Sequence, residues 1–553
     1  MRKLLCGSVA LAAIIAGVPA IAADMPVKAA PVAVASWTGL YVGLGVGFRS
    51  TQTDMTVTAE TQGGVDILGP ICAGFALTGS CVTGQPLNDT AFRSSLYAGY
   101  NWQVAPQWVV GVEGDWGFAN KTTTLGGMYY PLAGVGGPIT GIAADTFAVK
   151  TTWDASARAR IGFLADPSLL IYATGGAAWL HVEATSSCNV LTGPCSPGGG
   201  RSPAVVTDST TKSGWTIGGG IEAMLWANWI ARAEYRYADF GTISNTDIRT
   251  EAAGPSPNAV SYDLRVRTHT ATFGLAYKFG AESAVTAALP VKAPIYKAPP
   301  VAVASWSGPY VGLGIGIRST KTDATVTAFT SAGFDLLALN CAILAPFGGC
   351  VTGEPLNDTA FRLSPYVGFI WQVAPWWVVG LEGDWGFANK TTTLNGMAYP
   401  VTGFIDTNAA NTFSVKTTWD ASARGRVGYL VNPSVLIYAT GGAAWLHVES
   451  TSNCNPIFGN CDPISFRPAV IAHATTKLGW TIGGGIEAMM WGNWIVRGEY
   501  RYADFGTISN TDTRINGFSE TQVVSYDLRV KTHTATFGLA YKFDWSTPVV
   551  VKY

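Results

Sequence analysis

Charge is scarce in this chain. Lys, Arg, Asp and Glu make up only 13% of its 553 residues and nearly cancel, to a formal net charge of −1. That is about half the usual charged share. No basic block occurs, so nucleic-acid binding has no support. Histidine is rarer still, with His181, His269, His447, His473 and His533 the only five. The nine cysteines include no C-x-x-C and have no histidine at ligand spacing, which argues against a zinc site. Past the N-terminus there is no uninterrupted apolar run of about 20 residues, which excludes a helical membrane protein. Gly218-Gly219-Gly220 and Gly483-Gly484-Gly485 lack the following helix and Lys of a phosphate loop. Glycine in mid-strand relieves crowding or curvature instead.

What is present points outward from the cell. Arg2 and Lys3 precede an apolar run from Leu4 to Val18, and Ala20-Ile21-Ala22 offers a small-residue cleavage site. Residues 1–22 are predicted to be a secretory signal peptide. Cys6 lies too far upstream of that cleavage site to make a lipoprotein. The whole sequence is 48% apolar and 12% aromatic, and it holds 65 glycines. An exported, weakly charged chain of this kind without spanning helices reads as a transmembrane β-barrel. A secreted β-sandwich is the rival, and the strand pattern decides between them.

The sequence is written twice. Trp37-Thr-Gly-Leu-Tyr41 returns as Trp306-Ser-Gly-Pro-Tyr310, and Gly114 to Lys121 returns unchanged at Gly383 to Lys390. Thr268 to Phe279 returns unchanged at Thr532 to Phe543. A period this long means duplication of a whole domain. Within the first copy, eight strands are expected near residues 37–49, 90–103, 108–118, 147–164, 169–184, 212–225, 229–240 and 262–279. Their alternation is easy to follow. Trp229, Ala231, Ala233, Tyr235 and Tyr237 share one face, and Ile230, Arg232, Glu234 and Arg236 share the other. A soluble sandwich keeps charges outside, whereas a small membrane barrel encloses them. Tight connections such as Ala165-Asp-Pro-Ser168 alternate with long Gly-, Thr-, Asn- and Pro-rich ones, as expected for periplasmic turns and outer loops. Trp102, Trp108, Trp153, Trp226 and Trp229 lie near strand ends and suit interfacial girdles. In the last strand Leu264 and Val266 fall out of phase with Phe273 and Leu275. Either a bulge near Thr268–Thr270 or emergence of the strand above the bilayer would account for that.

Cysteine pairing follows the same plan. Apart from Cys6 the cysteines form four close pairs in the long loops: Cys72/Cys81, Cys188/Cys195, Cys341/Cys350 and Cys454/Cys461. In an exported protein these are expected disulfides. Folding the alternation into a barrel also gathers charges in its lumen. The first copy contributes Arg49, Arg93, Arg158, Arg160, Arg232 and Arg236 against Glu113, Asp115, Asp154, Glu183, Glu222 and Glu234. The second contributes Arg318, Arg362, Arg424, Arg426, Arg497 and Arg501 against Glu382, Asp384, Asp420, Glu449, Glu487 and Glu499. An eight-stranded barrel is only wide enough for side chains to fill. Balanced charges there should pair and plug it. His181 beside Glu183 is the nearest thing to a catalytic pair, both inward by this alternation. No activated nucleophile accompanies it, so no catalytic residue, cofactor or metal is assigned.

Four segments carry a family resemblance: the start Ala22-Ala23-Asp24-Met25-Pro26-Val27-Lys28-Ala29, the Trp37-Thr-Gly-Leu-Tyr41-Val-Gly strand, Glu234-Tyr-Arg-Tyr237, and Phe273-Gly-Leu-Ala-Tyr277-Lys-Phe279. They resemble the alphaproteobacterial outer-membrane immunogenic proteins, the RopB-like porin family related to the OmpA transmembrane barrel. The resemblance spans each repeat end to end. It implies single eight-stranded surface antigens without enzymatic activity. Two departures stand out: the duplication, and a final strand ending at Phe543 rather than at the chain's last residue.

The expected plan is a signal peptide at 1–22, a periplasmic lead-in at 23–36, barrels at 37–279 and 306–543, a Pro/Ala-rich linker at 280–305, and a tail at 544–553. Two tandem eight-stranded up-and-down antiparallel barrels are favoured over one merged sixteen-stranded barrel. The linker, extended at about 3.1 Å per residue, far exceeds what a hairpin needs, and each half keeps its own charge set. The expected role is a structural surface protein of the outer membrane of a Gram-negative bacterium. Its partners would be outer-membrane lipid and the outer-membrane assembly machinery. A diffusion porin through a merged barrel, or an adhesion surface on the outer loops, is the alternative.

Overall fold

The protein is described by a computed structural model over residues 36–74, 83–128, 130, 145–188, 205–225, 228–249, 258–279, 305–345, 350–401, 411–454, 469–490, 492–515 and 520–544. The predicted signal peptide, nearly all of the linker and most of the tail lie outside the described residues.

In the first repeat the strands are β1 (Gly39–Gln62), β2 (Val65–Asp66), β3 (Gly84–Pro86), β4 (Asp89–Ala105), β5 (Trp108–Gly126), β6 (Thr146–Asp166), β7 (Leu169–Ser187), β8 (Val205–Met224), β9 (Trp229–Arg249) and β10 (Asn258–Lys278), with helix α1 (Leu68–Gly74) between β2 and β3. The second repeat has β11 (Gly308–Ser331), β12 (Phe334–Asp335), α2 (Leu336–Leu344), β13 (Gly353–Pro355), β14 (Asp358–Ala374), β15 (Trp377–Asn395), β16 (Thr412–Asn432), β17 (Val435–Cys454), β18 (Ala469–Met490), β19 (Trp494–Ile515) and β20 (Thr521–Lys542). Every long strand pairs antiparallel with its neighbours. β1 pairs with both β4 and β10, and β11 with both β14 and β20, so each repeat closes on itself as a ring of eight long strands. At the level of the outward apolar residues the ring leaves no strand edge unpaired, the condition for a sheet in lipid, and only above it do β8 and β9 part. Two separate rings rule out the merged sixteen-stranded barrel and any pore through it.

The strands overrun the expected limits at their outer ends, where β1 continues from the expected 49 to Gln62. Outward side chains trace the reason. Leu40, Val42, Leu44 and Val46 on β1 and Val112, Trp116 and Phe118 on β5 are exposed and apolar, after which both strands turn polar. Trp102, Trp108 and Trp229 mark the lower edge of this band, and Trp116, Trp179 and Trp215 its upper edge. Above it the polarity of the sheet inverts. Met55, Val57, Leu180, Val182, Tyr262, Leu264 and Val266 are buried in a shared apolar core, as in a water-soluble barrel. β10 therefore keeps one phase, and Leu264 and Val266 face the same interior as Thr268 and Thr270. Of the two explanations for the slip, the bulge at Thr268–Thr270 is absent, since β1–β10 pairing runs unbroken through it, and emergence of the strand above the bilayer accounts for the phase. Bulges do occur near the rim elsewhere, at Phe118/Lys121 on β5 and at Thr151/Asp154 on β6. On β9, Gly241 takes a left-handed φ of 69° where the register shifts against β10.

The two barrels touch along a pseudo-two-fold seam. Asn88 Nδ2 donates to Asn357 O at 2.9 Å, and Asn357 Nδ2 returns the bond to Asn88 O at 2.8 Å. Ser50 meets Thr359 at 2.5 Å and its mate Ser319 meets Thr90 at 2.6 Å. Lower down, outward-facing Phe48 and Ala271 pack with Ile317 and Ala535. Near the periplasmic turns Ala223 and Ala231 pack with Val435, Ile486 and Ala488. Small residues let the sheets approach closely, as at membrane helix interfaces. A Cβ on Gly498 would lie 2.7 Å from that of Ala233.

Candidate functional site

The interior of each barrel is built in three storeys. At the periplasmic end Trp37 is fully buried, its Nε1 donating to Pro167 O at 3.0 Å, and packs with Tyr41, Val109, Leu164, Leu170, Met224 and Ile230. Trp306 repeats this in the second barrel, donating to Pro433 O at 2.9 Å.

The charged storey lies above that floor. Arg232 grips Glu113 with two bonds, at 2.5 and 3.0 Å, and Arg236 grips Asp115 likewise, at 2.6 and 2.9 Å. Arg93 bridges Asp115 at 2.6 Å and Asp154 at 2.5 Å, and Arg49 reaches Asp154 at 2.6 Å. Arg158 bonds Glu113 and meets Glu234 at 3.1 Å, while Arg160 meets Glu222 at 2.8 Å. In the second barrel Arg318 and Arg362 hold Asp420, Arg362 and Arg501 hold Asp384, Arg424 and Arg497 hold Glu382, Arg426 holds Glu487, and Arg424 meets Glu499. Paired charge-assisted bonds of this kind offset the cost of taking both ions out of water.

Glycines make room for these side chains. A Cβ on Gly117 would sit 2.3 Å from the Arg93 guanidinium, and one on Gly47 would sit 1.9 Å from Ala271 O. Sequence reasoning missed the aromatic members of the network. Tyr41 donates to Glu113 and Tyr172 to Glu234, each at 2.7 Å, while Arg232 stacks 3.9 Å over Tyr97. Their signal was their place on the same face as the arginines, overlooked because tyrosine also suits girdles.

Two expected members lie elsewhere. Glu183 and Glu449 are on the outer surface, paired with Lys150 at 2.9 Å and Lys416 at 3.0 Å. They sit above the apolar band, where the interior is taken by Leu180 and Val182, so charge there belongs outside. His181 faces outward with Glu183, stacked on Trp153. Their position in the lumen, and the catalytic-pair geometry that went with it, is corrected. Asp89 and Asp358, not singled out in the sequence, are buried next to Arg49 and Arg318 instead.

The third storey is the apolar cap. In the first barrel Leu87, Leu125, Tyr130, Phe147 and Val149 fill the space within the raised strands. Its few polar groups bond one another: Tyr130 donates to Asp247 and Tyr262 to Asp208, the latter at 2.8 Å. Burial, reinforced by the adjacent Asp208, pushes the Asp247 carboxyl up to about 6. Between cap and charges, a cavity of about 20 Å³ beside Asp154, Ser156 and Arg236 has room for about one water.

Of the expected disulfides, Cys341–Cys350 is formed, tying Cys341 within α2 to the chain beyond the helix. Cys72, Cys188 and Cys454 are disulfide-bonded too. Cys81, Cys195 and Cys461 lie outside the described residues. Among the described residues, no three His, Cys, Asp or Glu side chains are grouped to hold a metal ion.

Eight long antiparallel strands closed into a ring, an apolar outer band between aromatic edges and charges held within define an outer-membrane β-barrel. The sequence matches the family model "Outer membrane protein beta-barrel domain" twice, at residues 8–279 and 284–543, and the chain belongs to that family. It is 30% identical over 287 residues to the 31 kDa outer-membrane immunogenic protein of Brucella melitensis, which takes up 49% of this chain and 99% of that protein. It is 26% identical to the 25 kDa outer-membrane immunogenic protein of Brucella abortus, over 46% of this chain and 85% of that one. The 22 kDa outer membrane protein of Rhizobium leguminosarum bv. viciae is 28% identical, over 33% and 70%. One repeat thus corresponds to one whole Brucella relative. The chain is an outer-membrane protein of the immunogenic type, duplicated in tandem.

Proposed function

We propose that the protein is a non-conducting, non-enzymatic surface scaffold of the outer membrane, in which each barrel is sealed along its height and serves envelope integrity. The observation that carries this reading is the three-storey interior: a Trp-capped floor, a paired charge layer and an apolar cap stand in series in each lumen. An ion crossing such a lumen would have to break buried ion pairs, each break costing about 3–5 kcal/mol, and then pass an apolar plug. Open channels need wider rings or charge arranged around a water-filled constriction. The partners that fit this reading are outer-membrane lipid around the band and the assembly machinery that inserts the strands.

Conductance of the purified full-length protein in a planar bilayer tests the proposal. Silence, or rare small flickers, is the expected result. Stable open steps on the order of a nanosiemens, as large water-filled barrels give, would overturn the sealed reading.

A further inference from the structure

The pseudo-two-fold seam brings two related regions to the outer rim, and their chemistry has diverged. One is an opening of about 540 Å³ lined by Lys121 of the first barrel and by Lys321, Asp323, Tyr502, Lys531 and His533 of the second. Across the pseudo-dyad the positions of Lys321 and Lys531 are held by Gln52 and Arg267. Gln52 Nε2 donates to Thr359 O at 3.1 Å, and Arg267 is paired with Asp54 at 2.6 Å. That side, though it also carries Lys390, is in large part internally paired.

The lysine side is not. Neither Lys121 nor Lys321 has a carboxylate within ion-pair distance among the described residues, and the nearest to Lys531 is Asp504, at 3.8 Å. The acids in reach are Asp323 in the lining and buried Asp89, which Lys121 and Lys321 both feel. Three ammonium groups thus converge on a cleft that holds one carboxylate. Burial first, then the neighbouring Lys121, holds the Lys321 ammonium below its usual range, the state of a cation short of an anion.

Height decides which anion. The outward apolar residues end at Phe118 on β5 and at Ile317 on β11, so the cleft opens just above the hydrocarbon, at the level of the outer-leaflet head groups. A phosphomonoester carries about −1.5 to −2 charges and three acceptor oxygens, and lysine binds phosphate as a point charge. Basic pockets at this depth suit lipid head groups.

The geometry points to a binding site for the phosphate groups of an outer-leaflet glycolipid head group in the cleft of Lys121, Lys321 and Lys531. The site is independent of whether the lumens conduct. It is tested with full-length protein in phosphatidylcholine nanodiscs, titrated with bisphosphorylated lipid A and read by native mass spectrometry. Lys321→Gln installs the residue that the related region already carries at Gln52, so the fold is not at stake. Loss of one lysine should weaken binding roughly fivefold. Lys390→Gln, at the position related to Lys121, should leave it unchanged. Dephosphorylated lipid A should bind wild type no better than bisphosphorylated lipid A binds Lys321→Gln. Equal binding by wild type and Lys321→Gln would overturn the proposal, and so would an equal loss in Lys390→Gln. Displacement of the lipid by millimolar inorganic phosphate would overturn the head-group assignment in favour of a simple anion site.

Discussion

Arg232 shows how much rests on single side chains inside the barrel. Its guanidinium spans both oxygens of Glu113 and lies over Tyr97, all out of contact with water. Removing it leaves a buried carboxylate short of a partner, at a typical cost of about 3–5 kcal/mol. Arg265, half exposed on the outer surface and 3.0 Å from Asp239, should be worth about 0–1 kcal/mol. In the full-length protein in detergent, Arg232→Ala should therefore lower the unfolding temperature far more than Arg265→Ala. Equal effects would mean that Arg232 faces lipid or water. The arginines were legible at this scale because alternation puts every one of them on the face opposite the apolar band. Glu183 and Glu449 were misassigned because the charge-inside rule holds only within the bilayer. Above it water is outside, and the same sheet obeys the opposite rule.

Strands and their pairings respond to a different kind of change. Gly47 sits on the inward face of β1 where a methyl group would collide with the backbone carbonyl of Ala271 on β10. Backbone in a closed sheet cannot step aside cheaply, and overpacking of this kind costs about 1–3 kcal/mol or more. Gly114 on β5 is the contrast, since the nearest atom to an added Cβ there, Ser156 O, is at 3.7 Å. Gly47→Ala should sharply reduce the fraction of protein that shows heat-modifiable migration after refolding, while Gly114→Ala should fold like wild type. Similar yields from the two would argue against the close β1–β10 approach. The number and order of long strands could be read from alternation and tight turns. Their true lengths could not, because the polar, Thr-rich outer halves look like loops until their inward residues are seen to fill a cap. The bulge on β6 resets the alternation at the rim without any glycine or proline to announce it.

Across the whole molecule the repeats act on one another at the seam. Gln85 bonds both backbone groups of Asn395, donating to its O at 2.6 Å and accepting from its N at 3.1 Å. Its counterpart Glu354 accepts from Gly126 N at 2.8 Å, and burial pushes its carboxyl from 4.5 up to about 8. The pKa is higher in the docked protein than in the unfolded chain. Glu354 thus favours docking most below about pH 4.5, and the contribution is lost as pH rises toward 8. Wild type should melt at a lower temperature at pH 9 than at pH 5, by a margin that shrinks in Glu354→Gln. Identical pH profiles for the two proteins would show that Glu354 is not buried at the seam. Duplication was plain in the sequence, but the docking of its halves was not, since the contacts join residues about 230 to 310 positions apart through short polar side chains. Covalent union of the halves also changes what mutation can do. In a dimer of identical chains every substitution strikes both faces of a two-fold contact at once, so an asymmetric feature has no route into being. Here each face is encoded separately, and Gln52 against Lys321 and Gln85 against Glu354 are equivalent positions at the seam where the two copies differ. Fusion has turned a symmetric pairing into two heritably independent surfaces, free to specialise one at a time.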